Sequence, residues 1–311
     1  MPDIAVPVSV VITTYNQSHF LARAIESVNA NTVKPLEIAV VDDGSSDRSN
    51  EDVCGRYREV RLFRQTNQGV SAARNTGAAT ARSEWIVFLD ADDWLLPTAL
   101  SELTHAAMQS PEAAFVIGRS ERRSSDTSVE PTRSPPIGRT GDPYRDLLAP
   151  NTLWHPAQVL FNSRLLRESG GWKLEGGAED LELVLRLATR HPYQSVPGVV
   201  SIYWQHSMNV SGDPWRMYQS IATCFHVHLN DPRFNTSSRA AFFSARASRL
   251  DFYGRGILLS GLSEMRKGND PRKLVRGLAF VAVRRPPVLA WFVRFLFLRM
   301  IGRYSSPARP R

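Results

Sequence analysis

Short apolar runs and amphipathic stretches alternate along the first 118 residues. Val8-Ser9-Val10-Val11-Ile12 is a β-branched run that predicts a strand, after which Phe20, Leu21, Ala24, Ile25 and Val28 recur at helical spacing. Ile38-Ala39-Val40-Val41 repeats the strand signal. It gives way to Asp42-Asp43-Gly44-Ser45-Ser46-Asp47, a turn whose Ser and Asp side chains suit the start of a helix. A short strand is predicted at Arg61 to Arg64, a small-residue helix over Gly69 to Ala81, and a strand buried on both faces at Trp85-Ile86-Val87-Phe88-Leu89. Pro97 marks the next helix start, Leu100, Leu103, Ala106 and Ala107 form its apolar stripe, and Ala113 to Ile117 reads as another strand. Strands separated by helices need crossover connections, so the pattern predicts an α/β fold with a doubly wound, mostly parallel sheet. Ligands in such sheets bind beyond the carboxyl ends of the strands.

The pattern then changes twice. Residues 119–150 are rich in Arg, Ser, Pro and Asp without periodicity and read as a long loop, a lid over the site. A second ordered block runs from about Trp154 to Ser211, and from Pro214 the pattern is mainly helical. The expected divisions are therefore 1–118, 119–213 and 214–311.

With 311 residues, 42% of them apolar and 22% charged, the chain is long enough to bury a real core, which excludes fibrous and disordered classes. The net charge of +8 is unevenly spread: residues 241–311 carry 15 basic and 3 acidic side chains, so the body is mildly acidic and the tail strongly basic. A nucleic-acid binder would explain the sign of the charge. That charge lies outside the sheet domain, however, and no recognition motif accompanies it. Cys54 and Cys224 offer neither metal spacing nor a disulfide framework, and Met1-Pro2-Asp3-Ile4 lacks the basic and apolar regions of a secretory signal, so a cytoplasmic, reducing compartment is expected. The longest apolar run, Pro286 to Ile301, is broken by Arg294 and Arg299 and is too short to span a bilayer. Its mixture of aromatics, leucines and arginines fits either an interfacial helix on an anionic membrane or a helix docked on the catalytic body.

Three predicted strands end in polar residues: Thr13-Thr14-Tyr15-Asn16, Asp42-Asp43, and Asp90-Ala91-Asp92-Asp93. If the chain stays extended, Asp90 and Asp92 point the same way, and converging carboxylates repel unless a cation lies between them. Oxygen ligands favour Mg²⁺ or Mn²⁺, which take one or two carboxylates together with substrate phosphates. The alternative is that these Asp residues only cap the helix at Pro97. No G-x-G-x-x-G follows the first strand and no Walker loop occurs. Arg74 is either a plain salt-bridge partner or part of the same site. Glu179 and Asp180 open a helix with Leu181, Val184, Leu185 and Ala188 on one face, where negative charge suits the helix dipole whether or not it does chemistry.

Taken together, Val10-Val11-Ile12-Thr13-Thr14-Tyr15-Asn16, Val40-Val41-Asp42-Asp43-Gly44-Ser45, Asn67-Gln68-Gly69-Val70-Ser71-Ala72-Ala73-Arg74-Asn75 with Gly77, and Phe88-Leu89-Asp90-Ala91-Asp92-Asp93 resemble the family 2 glycosyltransferases of the GT-A, Rossmann-like fold. The resemblance is strong over residues 7 to 118 and looser over 150 to 211. It implies that 1–118 binds a nucleotide-diphosphate sugar, with Thr13 and Tyr15 lining the pocket, Asp43 and Arg74 fixing the base, commonly uracil, and Asp90 at the ribose or sugar. Asp92 would hold the metal, Asp180 would be the catalytic base, and Glu179 and Trp172, the latter in Gly170-Gly171-Trp172, would face the acceptor. His206, in Tyr203-Trp204-Gln205-His206, matches a late motif as a metal or diphosphate ligand. His155 is read as structural. The resemblance further implies inversion at the anomeric carbon and transfer to a hydroxyl of a cell-surface glycan or glycolipid precursor. Without the Gln-x-x-Arg-Trp motif of processive members, one sugar would be added per encounter. An inactive sugar-nucleotide-binding scaffold would keep the pocket without the chemistry.

Overall fold

The computed structural model describes residues 7–46, 49–124, 129–131, 143–148, 155–231 and 238–300. The first half runs β1 (Val8–Thr14), α1 (Ser18–Asn29), β2 (Glu37–Asp42), α2 (Ser49–Cys54), β3 (Val60–Arg64), α3 (Val70–Thr80) and β4 (Trp85–Asp90), as the periodicity predicts. Then come β5 (Trp94–Leu95), α4 (Ala99–Gln109), β6 (Phe115–Ser124), β7 (Val129–Pro131), α5 (Pro143–Leu147), β8 (Val159–Asn162), α6 (Ser163–Glu168), α7 (Glu179–Ala188) and β9 (Gln194–Gln205). Four helices close the described chain: α8 (Pro214–Leu229), α9 (Arg239–Arg266), α10 (Arg272–Arg284) and α11 (Pro286–Met300).

The sheet order is β3-β2-β1-β4-β8-β6-β9-β5, with β7 paired to β6. Strands β1 to β4 are parallel. β8 enters antiparallel to both β4 and β6, so the far half of the sheet is mixed. Alternate residues of the parallel strands feed two cores. Val10, Ile12, Val40 and Val87 pack with α1 and α4 on one face, while Val11, Val41, Ile86 and Phe88 pack with α3, α7 and α8 on the other. Burial on both faces is why β1, β2 and β4 read as continuous apolar runs, while β3 at the sheet edge is only partly buried. Gly77 lets α3 lie close on β1, since a Cβ there would collide with the Val11 side chain.

Two sequence expectations change. Residues 119–124 do not open a loop; they extend β6 and pair with Val199 to Gln205 of β9, and residues 143–147 form α5. Polar residues on a partly exposed strand carry no apolar period, which hid this pairing. The rest of the expected lid, and Trp154, lie outside the described residues apart from 129–131 and 148. No helix among the described residues is long and apolar enough to cross a membrane.

Candidate active site

The register of the parallel strands aligns their carboxyl ends. Thr13 lies opposite Asp90 across β1 and β4, and Thr14 lies opposite Asp42 across β1 and β2. Thr13 donates from Oγ1 to Asp90 Oδ1 at 2.9 Å. From α3, Arg74 donates to both Asp90 oxygens at 2.9 and 3.0 Å and to Asp180 Oδ1 at 3.2 Å, with Glu179 Oε1 at 3.6 Å. One guanidinium thus joins the end of β4 to the first turn of α7. Arg74 is 2% exposed, and its three carboxylate partners hold it charged, above the ordinary arginine range against the cost of burial. Asp180 moves the other way: burial lifts its carboxyl well above the usual carboxylate range, Arg74 opposes that, and Glu179 and Asp90 add to it.

Trp172, expected at an acceptor platform, is instead 3% exposed beneath Arg74, its ring centroid 4.6 Å from the guanidinium carbon, with Phe88 and Phe161 edge-on to it. Its apolar surface finds more burial in the core than at the rim. Glu179 is also buried and accepts from the Gly177 N–H at 2.6 Å, which shapes the loop entering α7.

After Asp90 the chain turns, with the Asp93 N–H donating to the Asp90 carbonyl at 3.0 Å. The expected extended alternation is therefore absent, and Asp90 and Asp92 take different partners. Asp92 Oδ2 meets His206 Nε2 at 2.9 Å and the amides of Gln17 and Asn209 at 3.3 Å. Burial and the neighbouring Asp90 push its carboxyl upward, and His206 counteracts this. None of these Asp residues caps α4, whose preceding residue is Thr98. Asp93 accepts from the Trp204 N–H at 2.8 Å and faces His155, whose Nδ1 is 3.4 Å away. Burial drives Asp93 well up and His155 down to about 4.

Asp43 is positioned by β2 and serves the start of α3. Its Oδ1 accepts from Gln65 Nε2 at 2.8 Å and the Gln68 N–H at 2.9 Å, and its Oδ2 accepts from the Gly69 N–H at 2.9 Å. Gly69 has φ +93°, and a Cβ there would fall 2.7 Å from Glu175 Oε1. Glu175 in turn accepts from the Ser71 N–H at 2.9 Å. Tyr15, on the loop after β1, is 48% exposed.

A model of glycosyl transferase family 2 matches residues 9–168, just over half of the chain. The chain belongs to that family. Among curated relatives, the uncharacterized glycosyltransferase EpsJ of Bacillus subtilis is 38% identical over 105 residues, 33% of this chain and 30% of that protein. Glycosyltransferase GlyA of Streptococcus pneumoniae is 37% identical over 92 residues, 28% of this chain and 13% of that one. The matched stretch thus spans less than a third of either relative. In fold, the chain is similar to S. aureus TarS 1–349 in complex with UDP-GlcNAc, with a TM-score of 0.60 at 14% identity over 96% of this chain and 93% of that one. It is likewise similar to the mannosyltransferase PcManGT of Pyrobaculum calidifontis in complex with GDP-Man and Mn²⁺, with a TM-score of 0.60 at 19% identity over 96% and 82%.

The family match ends at residue 168, before Asp180 and His206, so their place in the site comes from geometry. Two participants escaped the sequence reading. Arg23 of α1 donates to the Asp92 carbonyl at 2.8 Å and stacks 4.0 Å from the Trp94 ring, clamping the Asp90–Asp93 turn. Glu175 ties the loop before α7 to the start of α3. Both act across long sequence separations, and no local pattern marks them. As a cation site, Asp92 and His206 present one carboxylate oxygen and one imidazole nitrogen at a common point. Among the described residues no group of three or more His, Cys, Asp or Glu side chains is arranged to hold a metal ion. The single carboxylate suits Mg²⁺ or Mn²⁺ completing its shell with phosphate oxygens and water, while the imidazole nitrogen is a donor type more usual for softer ions.

Proposed function

We propose that this protein is an inverting, non-processive glycosyltransferase that moves one sugar from a nucleotide-diphosphate sugar, a UDP-sugar, to a hydroxyl of a cell-surface glycan or glycolipid precursor on the cytoplasmic side. The observation that carries this reading is the Arg74 bridge, which brings the base candidate Asp180 to the same rim as Asp90 and the Asp92–His206 pair. Exposed Tyr15 and part-exposed Asp90 take the nucleotide and sugar, whereas Thr13, Asp43 and Arg74, buried and engaged by the protein's own groups, hold the rim in shape; Arg74 is thus a bridge between carboxylates and not the expected clamp on the base. Glu179 keeps the base in place, and Trp172 supports Arg74 from below.

Asp180 accepts the proton of the acceptor hydroxyl as its oxygen bonds to the anomeric carbon. The bond from that carbon to the diphosphate oxygen breaks, and the nucleoside diphosphate leaves from the opposite face. Burial raises the Asp180 carboxyl, so its ionised form is a stronger proton acceptor than an exposed carboxylate, and such general-base help is worth roughly 10² to 10⁴ in rate. Held by Asp92 and His206, Mg²⁺ or Mn²⁺ would neutralise charge on the departing diphosphate.

The test is a panel of nucleotide sugars assayed for nucleoside diphosphate release with and without Mn²⁺. Metal-dependent release from one donor class supports the reading. Donor binding by calorimetry without release or transfer would identify an inactive scaffold instead.

A further inference from the structure

The sequence left the basic tail with two incompatible uses, docking on the body or lying on a membrane. The structure separates them by face. On α11, Val288, Phe292 and Phe295 are buried with Leu258, Leu262 and Val281 in a cluster of their own, and Gly254 of α9 lies against Val288. On α10, Gly277 sits against Ile257 and Leu258 of α9. Both helices therefore turn one face to α9 and leave the other outside. The outer face of α10 carries Arg272, Val275, Arg276, Ala279 and Val283, and that of α11 carries Ala290, Val293, Arg294 and Phe297, each set at helical spacing and all exposed. Val275 is 64% exposed, Val283 80%, Val293 60% and Phe297 56%. Large apolar side chains this open are costly to hydrate, and here they alternate with arginines.

Charge names the partner. From Pro271 to Met300 there are seven Arg and Lys side chains and no Asp or Glu. Arg285 is engaged by Asp251 at 2.7 Å and Lys273 by Glu264 at 3.3 Å, so the structural pairing falls at the edge against α9. We infer that the outer face of α10 and α11 docks on an anionic lipid bilayer, its arginines at the headgroups and Val283, Val293 and Phe297 in the acyl boundary. This goes beyond the proposed transfer reaction and does not depend on it.

The full chain is sedimented with vesicles of phosphatidylcholine alone and of phosphatidylcholine mixed with phosphatidylglycerol. Binding to the mixed vesicles only, weakening as salt rises, is expected. Arg276→Gln with Arg294→Gln should lower the partition coefficient roughly 30-fold, about fivefold per arginine, while Arg56→Gln with Arg58→Gln, the same charge change at an exposed turn of the sheet domain, should leave it within about twofold. Val293→Ser with Phe297→Ser should lower it several-fold at unchanged charge. Equal partitioning of parent and face variants, equal loss in the Arg56 and Arg58 control, or equal retention on duplex DNA would each overturn the inference. Nucleotide-sugar binding by the same variants, expected at the parent level, keeps this result separate from the fate of the transferase reading.

Discussion

Replacing Arg74 by Met probes the centre of the site directly. The side chain is 2% exposed, contacts Asp90 at 2.9 and 3.0 Å and Asp180 at 3.2 Å, and lies 3.6 Å from Glu179. Met conserves most of the stem and its packing on Trp172 but leaves three carboxylates facing each other. Removing one partner of a buried ion pair costs about 3–5 kcal/mol, and we expect a loss in that range at pH 8. The sign of its pH dependence follows from Asp180. Its folded-state carboxyl titrates above its unfolded value, so the folded protein keeps a proton that the unfolded chain has already shed. Stability from this group is complete below the unfolded value and is lost as pH rises through the folded one. Without Arg74 that window moves further up, so the gap between variant and parent should widen from pH 5.5 to pH 8. Thermal melts of both proteins across that range read the gap. Adding Asp180→Asn to Arg74→Met should recover part of the loss, because one buried charge is gone, with a coupling of about 0.5–3 kcal/mol. A gap that does not change with pH, or a loss below about 1 kcal/mol at pH 8, would refute the reasoning that Arg74 holds an otherwise repulsive cluster together.

Four further outcomes are expected. Asp180→Asn should lower transfer by roughly 10² to 10⁴ with donor binding retained, and in the parent the acid limb of kcat/KM should lie above the ordinary carboxylate range; transfer at the parent rate by the Asn variant would remove Asp180 as base. Asp92→Ala should weaken Mn²⁺-dependent donor binding by calorimetry at least tenfold while leaving metal-free binding nearly unchanged. Arg23→Leu should weaken the same metal-dependent binding with little change in metal-free donor affinity, because the guanidinium grips the Asp92 backbone and not the substrate; a fall in both would assign Arg23 a general folding role. Gly77→Val should destabilise the protein by about 1–3 kcal/mol in melts, since no room exists between α3 and Val11 for a side chain.

Chain order and local pattern were enough for the parallel half of the sheet. β1, β2 and β4 are each buried on both faces and so announce themselves as β-branched or aromatic runs, β3 at the sheet edge is only partly buried, and the helices between carry stripes that fit the sheet. The strand-end polar residues could be found for the same reason, because the runs stop where the ligand side begins. Where periodicity was absent, reading failed. The outer half of β6 is polar, β5 has two residues, and β9 contains Pro197 and Gly198, so their pairing became visible only through the partner strands.

Which side chains stand at the strand ends followed from composition and period, which are local properties of the chain. How they are used was settled by the folded arrangement. It turned the chain after Asp90, so that two carboxylates expected to share a cation take separate partners, and it sank Trp172 under Arg74. It also carried Asp180, ninety residues beyond Asp90, to within reach of the same guanidinium. Such arrangements depend on contacts between residues far apart in the chain, and a one-dimensional pattern records only near neighbours.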